Sequence, residues 1–177
     1  MGLGRRRHPV AVLALALLLG AWSSGWAGAP GRGAAGPGDA LPDISLPSVV
    51  DGAPVRVAEY VAGHVAALVY MQTSCAACRK ELLVLKELLA RYPELRVVAV
   101  SVDSGGPARV KRYRDHFGFD FPFLHDPEFK TPELFGFSFT PALVLVDREG
   151  RIALLKGGYR PGDERAVEQK IRELLGR

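Results

Sequence analysis

Val65-Ala-Ala-Leu-Val-Tyr70-Met-Gln-Thr-Ser-Cys75-Ala-Ala-Cys78-Arg-Lys-Glu81 is the stretch on which the reading of this chain turns. Val65 to Tyr70 is apolar throughout, which suits a strand buried on both faces. From about Ala76 to Tyr92 the pattern changes to helical, with Leu82, Leu85, Leu88 and Leu89 at three- and four-residue spacings, and Leu83 and Val84 widening the stripe. The only two cysteines of the chain, Cys75 and Cys78, fall at the junction. The leucine stripe is expected to bury itself in a core and so hold the cysteine at the helix tip.

The junction carries chemistry. Two intervening residues let both sulfurs meet within one turn, so a small disulfide ring can close and reopen. At the start of a helix, unpaired N–H groups and the positive end of the macrodipole favour an anion. A thiolate is an anion, so the Cys75 thiol is expected below the free cysteine value of about 8.5. The thiolate is the attacking species in disulfide exchange. Cys78, one turn further on and covered, is placed to resolve a mixed disulfide. The competing readings are a plain structural pair and a zinc site. Zinc wants four ligands, and neither a second CxxC nor a nearby histidine pair is present.

The run Val69-Tyr70-Met71-Gln72-Thr73-Ser74-Cys75-Ala76-Ala77-Cys78-Arg79-Lys80-Glu81 resembles the thioredoxin superfamily, and within it the extracytoplasmic TlpA/ResA/CcmG-like branch. The cysteines, the basic pair and Glu81 match that branch's pattern. Ser74 stands where a Trp is usual, and Ala77 where a Pro is usual. The resemblance covers about residues 41 to 175. It implies an α/β, thioredoxin-like fold: a central mixed β-sheet flanked by helices, with an N-terminal β-hairpin and an inserted strand–helix unit. It also implies a cis peptide bond at Thr140-Pro141, facing the cysteines. Thr140 and Pro141, with Ser74, Ala76 and Ala77, then line the groove that receives a substrate. For Glu81 the resemblance implies proton handling beside the disulfide; the alternative is a solvent-facing charge in the first helical turn, favoured there by the dipole. The position of the buried acid of thioredoxin itself is Val69 here.

Composition sets the compartment and the partners. The chain has 177 residues, 48% hydrophobic and 24% charged, which suits one domain with a sizeable core. Two cysteines are too few for a disulfide scaffold. The formal net charge is +4, and Arg5, Arg6 and Arg7 account for three of those charges. The remainder is nearly neutral, which excludes a nucleic-acid surface. Arg5–Arg7, the apolar run Val10–Ala21 and the small residues Ala27-Gly28-Ala29 have the layout of a secretory signal peptide. Residues 1–29 are therefore read as a signal peptide, with an uncleaved membrane anchor as the alternative. Either places the domain outside the cytoplasm, in a periplasm or at the outer membrane face, where thiols are oxidised unless something reduces them. Residues 30–40, rich in Gly, Ala and Pro, read as a flexible linker, and residues 41–177 as the domain.

Along the domain, Asp43–Val50 and Val55–Val57 flank Asp51-Gly52, a hairpin signal. Ala58–Val61 reads as one helical turn. Leu95–Val102 is a second strand, and a strand–helix–strand unit of this kind requires a parallel pair. Ala108–Phe117 reads as a helix with Val110, Tyr113 and Phe117 inward and with Lys111, Arg112 and Arg114 solvated. Phe121–Leu124 reads as a short strand, His125-Asp126 as loop, and Thr131–Phe135 as a short helix with Thr131 at its N-cap and Pro132 at its first position. Ala142–Val146 and Arg151–Lys156 form a hairpin across Asp147-Arg-Glu-Gly150, and Gly157-Gly158 breaks it. Asp163–Leu175 is the last helix, with Val167, Ile171, Leu174 and Leu175 inward.

The function expected is that of an extracytoplasmic protein thiol–disulfide oxidoreductase acting as a reductant. By resemblance its substrates are protein disulfides, those of apocytochrome c or of a metal-site protein among them, and its electrons come from a membrane-embedded donor. The redox-active disulfide Cys75–Cys78 is the only cofactor expected, no metal is expected, and the protein is expected to be a monomer. The alternative is a copper-binding module, in which soft thiolates hold Cu(I) and Met71 or His125 adds a ligand. A peroxiredoxin reading is weaker, because the Pro-x-x-x-Thr-x-x-Cys signature is missing ahead of Cys75.

Overall fold

The computed structural model describes Met1 and residues 33–177. The signal peptide or anchor expected before residue 30 lies outside the described residues. Among the described residues no helix is long and apolar enough to cross a membrane.

The apolar runs form one five-stranded mixed sheet. In chain order its strands are β3 (Ala66–Met71), β4 (Arg96–Ser101), β5 (Phe123–His125), β6 (Ala142–Val146) and β7 (Ile152–Gly157). In space the order is β5-β4-β3-β6-β7. β3 pairs parallel with β4 and antiparallel with β6, with Tyr70 opposite Ala142. β6 pairs antiparallel with β7, Ala142 opposite Gly157. The C-terminal end of β3, the N-terminal end of β6 and the C-terminal end of β7 thus lie side by side. A separate antiparallel hairpin, β1 (Ser45–Pro47) and β2 (Pro54–Arg56), precedes the sheet.

Alternation along β3 divides the core in two. Ala67, Val69 and Met71 enter one cluster with Leu82, Leu85 and Leu88 of α2 (Ala76–Arg91), Val110 of α3 (Pro107–Phe117), and Val167 and Ile171 of α5 (Asp163–Leu175). Ala66, Leu68 and Tyr70 enter the other with Ile44, with Val57 and Val61 of α1 (Val57–Val61), and with Phe135, which follows α4 (Lys130–Glu133). Both faces of the sheet are therefore covered, as a run of six buried residues requires. This is the thioredoxin-like α/β fold, with the hairpin and the β5–α4 insertion in the expected places.

Several local readings change. Leu83 is 38% exposed: it lies one residue, or about 100°, past Leu82 and so leaves the stripe formed by Cys78, Glu81, Leu82, Leu85 and Leu88. His125 ends a strand and is buried, bonded to the Asp103 carbonyl at 2.8 Å, rather than lying in a loop. Thr131 is inside α4, not its N-cap; Phe129 takes that position in the left-handed region. The Asp126 carboxylate does the capping instead, accepting from the N–H groups of Lys130 and Thr131 at 3.3 and 2.7 Å. Residues 33–40, a linker by composition, are bonded to the domain: Ala35 N–H to Leu134 C=O at 2.7 Å, and Gly38 N–H to Ile152 C=O at 2.8 Å. Backbone pairing needs no particular side chains, so composition does not reveal it.

Candidate functional site

Cys75 is the N-cap of α2, with extended backbone (φ −85°, ψ 108°), and its carbonyl accepts the first helical bond from Arg79 N–H at 3.1 Å. Its Sγ accepts from Cys78 N–H at 3.0 Å. One of the otherwise unpartnered donors of the helix start is therefore aimed at sulfur. Cys75 and Cys78 are joined as a disulfide with Cα atoms 5.2 Å apart. Cys75 is half-buried and Cys78 fully buried, so only the first sulfur is open to a partner. Ser74 and Ala76 are exposed beside it, and Ala77 is half-buried.

Pro141 follows a cis peptide bond from Thr140 and precedes β6, so it stands opposite the end of β3 from which the cysteine loop departs. The Thr140 hydroxyl donates to Gln72 Oε1 at 3.4 Å, a long bond that links the two segments. Thr140, Pro141, Ser74, Ala76 and Ala77 thus gather at one end of the sheet around Cys75.

Two polar groups that sequence reasoning did not single out support this arrangement. The first is Asp103, 6% exposed, in the loop after β4. Its carboxylate accepts from Thr73 N–H and Thr73 Oγ1, both at 2.8 Å, and from Ser101 Oγ at 2.7 Å. Asp103 therefore clamps the backbone two residues before Cys75. The second is Lys156 of β7, whose Nζ lies 2.7 Å from Glu81 Oε1. It also donates to Gly158 C=O at 2.6 Å and lies 3.6 Å from Asp163 Oδ2. A charged residue at an inward position of a strand was the available signal, since Leu154 on the same face packs into the α2 cluster.

Glu81 is one turn beyond Cys78 on the buried stripe and is only 3% exposed. The solvent-facing alternative does not hold. Burial pushes its carboxyl above the ordinary glutamate range, Lys156 pulls it partway back, and Asp163 adds to the rise. Glu81 Oε2 has no hydrogen-bond partner among the described residues. A cavity of about 10 Å³ beside it is lined by the apolar Val84, Leu85 and Val167 together with Glu81, Tyr159, Asp163 and Glu164.

Among the described residues no group of three or more His, Cys, Asp or Glu is placed to hold a metal ion. The two ligands considered for copper are committed elsewhere: Met71 is fully buried in the core cluster under α2, and His125 is bonded to Asp103.

Fold and site together define a thioredoxin-like domain that presents a CxxC disulfide at a helix N-terminus. The AhpC/TSA family model matches residues 37–155, and the chain belongs to that family. The thiol-disulfide oxidoreductase ResA of Geobacillus thermodenitrificans is 28% identical over 116 residues, which cover 65% of this chain and 66% of that protein. The chain thus spans just under two thirds of that relative's length. A Mycobacterium tuberculosis protein provisionally described as a peroxiredoxin is 29% identical over 92 residues, 52% of this chain and 58% of that one. Among solved structures, a Chlorobium tepidum protein provisionally described as the thiol:disulfide interchange protein DsbE superposes with a TM-score of 0.74. It shares 30% identity, and the match covers 81% of this chain and all of that one.

Proposed function

We propose that this protein is a thiol–disulfide oxidoreductase that reduces disulfides of partner proteins outside the cytoplasm. The observation that carries the reading is the asymmetry of the pair: Cys75 half-exposed as the N-cap, Cys78 fully buried behind it. In the reduced protein the Cys75 thiolate attacks a partner disulfide. A Cys75–partner bond forms as the partner's own bond breaks, and the partner's second sulfur leaves as thiolate. Cys78 then loses its proton and attacks Cys75 Sγ. The partner's first sulfur leaves, and the Cys75–Cys78 disulfide carries the two electrons' worth of oxidation. Glu81, one turn from Cys78, accepts the Cys78 proton; burial raises its carboxyl above the ordinary glutamate range, which makes it a stronger base than an exposed glutamate. The backbone N–H and C=O of Thr140 bond to nothing among the described residues and would pair with the partner's extended backbone.

The AhpC/TSA assignment and the peroxiredoxin relative raise a peroxidase as a rival. Against it, Leu68 and Gln72 stand where the Pro and Thr of the peroxidatic signature would precede Cys75. The finer reading follows the resemblance: electrons from a membrane-embedded donor, protein substrates of the apocytochrome c or metal-site kind, and a monomeric protein held outside the cytoplasm by the N-terminal segment.

The test has two parts. Cys75→Ser abolishes exchange, whereas Cys78→Ser leaves the first step intact and accumulates a mixed disulfide on Cys75 that gel shift and mass spectrometry detect. Equilibration with glutathione should give a potential near that of thioredoxin, about −270 mV, whereas a value near −120 mV overturns the reductant assignment. Absence of any trapped adduct overturns the exchange mechanism.

A further inference from the structure

Phe139 is 53% exposed, and it is the one aromatic side chain among the large hydrophobic residues that stand exposed in the described part of the chain. It ends a graded series. Phe135 is buried in the core, Phe137 is half-buried with its ring centroid 6.4 Å from that of Phe135, and Phe139 is outermost. Its sequence position is two residues before Pro141, at the end of the sheet where Cys75 lies. A single exposed apolar residue is ordinary on a protein surface. Its seating is the informative part.

The ring rests on backbone. A Cβ built on Gly157 would lie 2.9 Å from Phe139 Cζ and 3.3 Å from Cε2, and one on Gly158 would lie 3.9 Å from Cε2. Real Cβ atoms do not approach another heavy atom as closely as 2.9 Å, so the ring's position depends on a glycine at 157. Gly157 is opposite Ala142 in the ladder, and Gly158 N–H donates to Pro141 C=O at 2.7 Å. The glycine shelf is therefore fixed to the same backbone as Thr140 and Pro141. The two glycines support the ring on one side, and 53% of the side chain stays exposed, at the same end of the sheet as Cys75. The residue before Cys75 is Ser74, exposed and polar, which offers no apolar surface.

We infer that Phe139 is a specificity-determining residue, a platform for an apolar or aromatic side chain next to the cysteine of the substrate segment that bonds Cys75. The inference rests on the oxidoreductase reading and adds the substrate class: extended segments in which a large apolar residue flanks the target cysteine. A peptide backbone aligned on Thr140 carries its cysteine to Cys75 and brings a neighbouring side chain over the exposed part of the ring. An aromatic surface held by backbone loses little conformational freedom on contact, so the burial is retained as affinity.

The test uses two peptides, each with one cysteine held as a mixed disulfide with glutathione. In one a Phe flanks the cysteine and in the other a Ser. The full-length protein is reduced with dithiothreitol and desalted. Cys75 then displaces glutathione from the peptide sulfur, and Cys78 releases the peptide as a thiol while the Cys75–Cys78 disulfide forms. The readout is the ratio of second-order rate constants for the two peptides. Wild type is expected to favour the Phe peptide about five- to tenfold. Phe139→Ala brings the ratio to about one, Phe139→Trp restores it, and Gly157→Ala, which displaces the ring without deleting it, lowers it. A general structural defect would slow both peptides and leave the ratio unmoved. A wild-type ratio near one, or a ratio that survives Phe139→Ala, overturns the inference and leaves the oxidoreductase reading standing. Failure of wild type to react with either peptide overturns both.

Discussion

Lys156→Met removes the ammonium that faces Glu81 at 2.7 Å and keeps most of the side-chain volume. The two side chains are 16% and 4% exposed, so water does not take the ammonium's place fully. Glu81 then either stays ionised without a partner or binds a proton. Protonation sets the ceiling: from the ordinary glutamate value of 4.5 to pH 7 it costs about 3.4 kcal/mol, at 1.36 kcal/mol per unit. Part of that cost is already present in the native protein, because burial holds Glu81 above 4.5 even with Lys156 in place. The expected loss at pH 7–8 is therefore about 1–3 kcal/mol, or roughly 4–8 °C in Tm for a loss near 2 kcal/mol. The sign with pH is specific. An acid whose folded pKa is raised binds its proton more tightly when folded, so stability falls as pH rises from the unfolded value through the folded one, and then levels. Without Lys156 the folded value lies higher still, and the decline continues to higher pH. Urea melts of wild type and variant should thus differ by a small constant near pH 4.5, from the lost bond to Gly158 and the contact with the Tyr159 ring, and by more as pH rises. Glu81→Gln should remove the pH-dependent part in both backgrounds, which separates Glu81 from Asp163, 3.6 Å from the same ammonium. A stability gap of equal size at pH 4.5 and pH 8, or a double variant equal to the sum of its singles, would refute the coupling.

The other expectations concern structure nearer the disulfide. Asp103→Ala strands Thr73 N–H, Thr73 Oγ1 and Ser101 Oγ, and should cost about 2–4 kcal/mol in urea unfolding; Asp103→Asn, which keeps one acceptor, should cost less. Leu85→Ala, at a fully buried position of α2, should cost about 2–5 kcal/mol, whereas Leu83→Ala, two residues earlier and 38% exposed, should stay within about 0.5 kcal/mol. Similar losses for those two leucines would mean that the helix face has been assigned wrongly.

The sequence was most legible where one physical pattern stood alone. Seven consecutive apolar residues from Val65 to Met71 admit little but a strand covered on both sides, and the pairing of β3 with β4 and β6 follows that reading. α5 was readable residue for residue, since Val167, Ile171 and Leu175 repeat every fourth position and Gly176 adopts the left-handed conformation that ends the helix (φ 77°). Legibility failed where the deciding partner lay far along the chain. Glu81 had two readings of equal weight because nothing within a turn of it reveals Lys156, 75 residues later. Asp103 drew no functional reading because its partner, Thr73, is 30 residues earlier. Thr131 looked like a helix cap because it precedes a proline; Asp126, five residues upstream, reached those N–H groups first. In each case a polar side chain was assigned by its neighbours in sequence while its hydrogen bonds were formed across the fold.

The two polar supports of the disulfide should therefore fail in different ways. Asp103 acts on position. It fixes Thr73 by backbone and side chain together, and Cys75 follows two residues later, so loosening it alters where the sulfur stands before attack. Glu81 and Lys156 act on charge. Glu81 sits behind Cys78 on the buried stripe and Lys156 reaches it from β7, so a proton gained or lost there changes the field at the resolving sulfur without moving the entrance to the groove. Weakening the first should slow formation of the mixed disulfide at every pH. Weakening the second should leave that step largely intact and shift the pH profile of its resolution. Rapid-quench trapping of the Cys75 adduct separates the two steps. If Asp103→Asn and Lys156→Met altered the same step with the same pH dependence, position and charge would not be independently controlled at this site.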